Sequence, residues 1–98
     1  MTEYEARIDR MASELKEKLE SRFKGEYHVV YGSLKIYYKD FVFDISQKAE
    51  GMDEYFFDGW HKNKVLIHQL INATYPFRWV ENQLSLYLPK AEEQMRLF

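Results

Sequence analysis

Asp58, His61 and His68 come closest to a catalytic or metal-ligating group: a carboxylate and an imidazole three apart, then a second imidazole seven further on. Imidazole and carboxylate exchange protons near neutrality and bind borderline cations. Together with His28, however, these histidines have neither the zincin nor the zinc-finger spacing. The absence of cysteine excludes a thiolate zinc site and any disulfide. The run DEYFFD, residues 53 to 58, sets three carboxylates beside aromatics, the pairing a glycosidase uses, but no second motif accompanies it. Ser33 lies in YGSL without the G-x-S-x-G elbow, and the four glycines are scattered singly, so no loop cradles a phosphate. The expectation is a protein that is not an enzyme and uses no cofactor or metal.

Binding surfaces are better represented. Aromatics make up 17% of the chain, and they supply cores and interfaces alike. One candidate partner surface combines Tyr55, Phe57 and Trp60 with an acidic rim of Asp53, Glu54 and Asp58. Such a surface resembles the small acidic proteins of mobile elements that inhibit nucleic-acid enzymes by imitating phosphate charge. A second candidate is Lys35, Tyr37 and Lys39, which alternate along one strand face as a basic-aromatic stripe suited to a single nucleic-acid strand. The formal charge of −2 argues against direct nucleic-acid binding and favours the protein partner. Leftover aromatic surface also allows self-association as a homodimer.

The third candidate is the stretch QMRLF, residues 94 to 98. It resembles the pentapeptide by which many bacterial polymerases and repair factors grip the sliding clamp. The resemblance implies that the Gln94 amide reaches the rim of the clamp pocket and that Met95 makes a flexible aliphatic contact. It makes Leu97 and Phe98 the buried anchors, while Arg96 departs from the Ser or Asp often found there. Burial of two such side chains contributes roughly 1.5–3 kcal/mol each, against about 1–2 kcal/mol of backbone entropy per ordered residue. The resemblance therefore implies weak binding by a lone tail, in DNA replication or repair.

The elements that must position these residues follow from periodicity. Tyr4, Ile8, Met11, Leu15, Leu19 and Phe23 recur every three or four positions and predict a long amphipathic helix over 2–24, with Gly25 as its stop. From Glu26 to Ser46 the period falls to two, predicting a three-stranded antiparallel meander with turns at Gly32-Ser33 and Lys39-Asp40. Met52, Phe56 and Trp60 are four apart, so residues 52–60 read as a short helix or, almost equally, as a strand. Leu66, Ile67, Leu70, Ile71 and Thr74 predict a second helix ended by Pro76. Residues 77–88 read as a hairpin turning at Glu81-Asn82, and 90–98 as a short last helix or partner-binding tail. The order α-β-β-β-α over 2–74 resembles a double-stranded-RNA-binding domain.

The expected fold is thus one α+β domain over residues 1–98, a long N-terminal helix packed on an antiparallel sheet in the order α-β-β-β-α-β-β with a helical end. No secretory signal or apolar span stands out, which predicts a cytoplasmic, membrane-independent protein.

Overall fold

The computed structural model describes residues 3–30, 33–47, 54–72 and 76–91, with side chains in the first helix described from Met11 onward. Helix α1, Glu3–Glu20, opens the chain. Five strands follow, β1 Glu26–Val30, β2 Ser33–Tyr38, β3 Phe41–Gln47, β4 Glu54–His61 and β5 Lys64–Asn72, and then helix α2, Phe77–Leu84. The strands form one antiparallel sheet in the order β1-β2-β3-β4-β5. The class is the expected α+β, but the element order is α-β-β-β-β-β-α.

The first helix ends four residues before its predicted end. The Leu19 carbonyl accepts from both Arg22 N and Phe23 N, which closes the last turn tightly. Beyond it, Phe23 leaves the helix to bridge Lys90, with Lys24 N donating to the Pro89 carbonyl and Ala91 N to that of Arg22. The apolar stripe nevertheless continues past the helix: Leu15, Leu19 and Phe23 are all buried.

Strands β1 to β3 follow the predicted meander, and Lys39-Asp40 turns the chain between β2 and β3. The first hairpin connection lies at 31–32, outside the described residues, and Ser33 already belongs to β2. Of the two readings of 52–60, the strand is correct. The helix expected at 64–74 is instead β5, joined to β4 by a two-residue turn at Lys62-Asn63, both with positive φ. This removes the likeness in element order to a double-stranded-RNA-binding domain. The expected hairpin at 77–88 is in fact helical at 77–84, and Glu81-Asn82 lies inside α2 rather than at a turn.

Both helices lie on one face of the sheet. Leu34, Ile36, Phe43, Ile45 and Phe57 are fully buried there, beneath Leu15 and Leu19 of α1 and Val80 and Leu84 of α2. Trp79 meets Phe57 edge-on at 5.3 Å, and Tyr87 lies 5.7 Å from Phe43. The alternation in β2, β3 and β4 turns every second residue to the opposite face. Among the described residues no helix in the protein is long and apolar enough to cross a membrane.

Candidate functional site

That opposite face carries three rows of side chains running across the strands. The register aligns His28, Lys35, Asp44, Asp58 and His68 from β1 to β5, one residue per strand. On one side lies the row Glu26, Tyr37, Val42, Trp60 and Val65; on the other, Val30, Ser33, Ser46, Phe56 and Leu70. A charged rung is thus flanked by two rows in which aromatic and aliphatic residues predominate.

The charges in the rung are paired within it. Lys35 Nζ donates to Asp44 Oδ2 at 2.7 Å, and this bond holds the lysine's pKa above its ordinary value. At the other end the His68 ring donates through Nδ1 to Asp58 Oδ1. Phe56 stacks on the same imidazole, with centroids 6.1 Å apart and planes 10° from parallel. Between the pairs, Asp44 Oδ1 is buried and has no hydrogen-bond partner among the described residues. Counting by strand alternation, Glu26, Asp44, Glu54 and Asp58 set four carboxylates against the one ammonium of Lys35, a net of −3 with the histidines neutral. Among the described residues this face therefore carries more carboxylates than ammonium groups.

This geometry divides the expected partner surface. Glu54, Asp58 and Trp60 share the open face, but Tyr55 and Phe57 point the other way and are core residues, 5% and 0% exposed. A strand cannot show consecutive residues on one face, so the acidic-aromatic surface uses Phe56 in place of its neighbours. Phe56 is absent from the sequence-predicted surface because only the alternation of β4, and not the aromatic run itself, separates it from Tyr55 and Phe57. Asp53 lies outside the described residues.

The basic-aromatic stripe is also divided. Lys35 and Tyr37 share the open face, Tyr37 being 39% exposed, but the lysine is bonded to Asp44. Lys39 lies off the strand, in the turn after β2 with φ 51°, where its ammonium sits 5.4 Å from the Tyr38 ring centre. Among the described residues the sheet therefore presents no continuous cationic track.

His61 and His68, which bracket Asp58 in sequence, have different partners: His68 pairs with Asp58, whereas His61 lies against Phe41 at 4.5 Å. Among the described residues no three His, Asp or Glu side chains converge as metal ligands. The stretch Gln94, Met95, Leu97 and Phe98 falls outside the described residues. The last of those, Lys90 and Ala91, run beside the end of α1 near an ion pair between Arg22 and Glu81 at 2.6 Å. No family model, curated protein or solved structure matches the chain.

Proposed function

We propose that this protein is a non-catalytic binding module that docks another protein onto the uncovered face of its sheet. The observation that carries this reading is the combination of Phe56, Trp60, Tyr37 and Leu70 with a net-acidic central rung on a face that neither α1 nor α2 covers. Aromatic anchors beside charges suit a protein interface, where a few such residues dominate affinity. The sign of the charge selects a partner that is basic and apolar, of the kind a nucleic-acid enzyme presents to its polyanion. On this reading the protein acts as an inhibitor or accessory of such an enzyme.

A photo-crosslinking amino acid at position 42, beside Trp60 in the register of the sheet, tests the proposal in the native cell. The protein captured by the wild-type face should be lost on Trp60→Ala and retained on Leu86→Ala, an exposed leucine after α2. Equal capture by both variants would remove the open face from the mechanism.

The QMRLF sequence supports a second reading, in which the tail carries the protein to a sliding clamp. A purified clamp should then bind the full chain with roughly micromolar affinity. The double change Leu97→Ala and Phe98→Ala should abolish that binding, and retention of it would exclude the tail.

A further inference from the structure

The sheet has two edges of different kinds. At one end β1 has five residues, opens on Glu26, and follows directly on the segment that bridges Lys90. At the other end β5 has nine residues, and among the described residues nothing pairs with its outer side. An exposed strand edge presents unpaired N–H and C=O groups and is ordinarily blunted by charge, proline or a bulge. In β5 the only full charge is Lys64 at its first position, and it has no proline. The register shift opposite Gly59 and Trp60 is confined to its beginning, leaving Ile67–Asn72 in regular pairing. Leu70 is 41% exposed, and its carbonyl accepts from the side chain of Gln69 at 3.1 Å, a local donor where a neighbouring strand would otherwise supply one.

We propose that β5 is the dimerisation edge of this protein: two copies pair antiparallel along Ile67–Ile71 about a two-fold axis at Gln69 and join their sheets into one of ten strands. This register sets Ile67 opposite the partner's Ile71 and His68 opposite the partner's Leu70, each twice by symmetry. No like charges face one another, because each Lys64 lies beyond the paired segment. The histidines do not meet either. A second copy fits better than a foreign strand because the two-fold pairing is self-complementary and closes, leaving no free β5 edge. A β5-to-β1 contact would instead propagate into a filament. Dimerisation stands apart from the open-face reading, since it uses the edge of the sheet and leaves that face accessible in both copies.

Light scattering on the purified full chain should give twice the 11.9 kDa chain mass. The chain has no cysteine, so a single engineered one is unambiguous. Gln69→Cys should form a disulfide-linked dimer under mild oxidation. Val65→Cys should not, because its two copies would lie eight strand residues, roughly 26 Å, apart. The double change His68→Lys and Leu70→Lys puts ammonium groups directly opposite one another across each pair and should give a monomer with an unchanged circular-dichroism spectrum. A monomeric wild type, a dimer that survives the double lysine change, or crosslinking at position 65 in place of 69 would each overturn the assignment.

Discussion

Gly59 occupies a core-facing position of β4 where there is no room for a side chain. An added Cβ would stand 2.9 Å from two ring carbons of Phe43 and 3.0 Å from Ile67. Phe43 is fully buried and packed against Phe57, so it has little freedom to move. Gly59→Ala should therefore cost about 1–3 kcal/mol in urea denaturation. Adding Phe43→Leu should recover part of the loss, a non-additivity that direct contact requires. Tyr27 depends on hydrogen bonding instead. Its buried hydroxyl donates to the Phe23 carbonyl at 2.9 Å, with Leu19 O at 3.3 Å, and so satisfies the acceptor just beyond the end of α1. Tyr27→Phe should cost about 1–3 kcal/mol at neutral pH, because a buried acceptor is stranded. Burial first, and the nearby Glu20 carboxylate second, raise the pKa of this phenol above its ordinary value. The unfolded chain therefore ionises first. The associated stability is complete below about pH 10 and falls by up to about 1.4 kcal/mol per pH unit above it. Lys35, also raised, loses its ion-pair contribution in the same alkaline direction. Denaturation midpoints measured from pH 8 to 11 should fall less steeply for Tyr27→Phe than for the wild type.

At the scale of elements, the sequence was legible where one face of an element is buried and the other solvated. The three-and-four spacing of Met11, Leu15 and Leu19 identifies α1, and the alternation through Leu34, Ile36, Phe43 and Ile45 identifies β2 and β3. It was misleading in β5 because an edge strand buries little: of its residues only Ile71 is fully enclosed, so Leu66, Ile67 and Leu70 need not alternate. Their spacing then coincides with that of a helix face. The error at 77–88 came from reading Pro76 only as a terminator. Proline lacks an N–H that the first turn does not need, and here it precedes α2 at its cap position. The two readings of this segment differ measurably. A strand would place Leu84, Leu86 and Leu88 on one face, whereas the structure buries Leu84 and Leu88 and leaves Leu86 69% exposed. Leu84→Ala should cost about 2–5 kcal/mol, and Leu86→Ala should stay within about 0.5 kcal/mol. Comparable losses at both positions would restore the hairpin. For the candidate site, the residue types were legible but their facing was not, because Tyr55 and Phe57 separate from Glu54, Asp58 and Trp60 only once β4 is known to be a strand.

Across the whole molecule, the placement of both helices on one side of the sheet gives the two tryptophans different surroundings. Trp79 packs against the core through Phe57, whereas Trp60 stands in the outer row between Val42 and Val65, beside the rung that holds Asp44 and Asp58. The acidic face should attract cations and repel anions over a distance set by the Debye length, about 10 Å at 0.1 M salt. Charged fluorescence quenchers report this field without any partner. In a Trp79→Phe protein, caesium should quench Trp60 more effectively than iodide, once each is corrected for its quenching of free tryptophan. Raising the ionic strength to 1 M should largely remove the difference, and Asp58→Asn should reduce it. In a Trp60→Phe protein the remaining Trp79, on the helix-covered side against Phe57, should show a smaller difference between the two ions. Iodide quenching of Trp60 equal to that by caesium at low salt would mean that the carboxylates of this face are neutralised by their own neighbours. The surface would then retain its aromatic anchors and lose the charge that selects a basic partner.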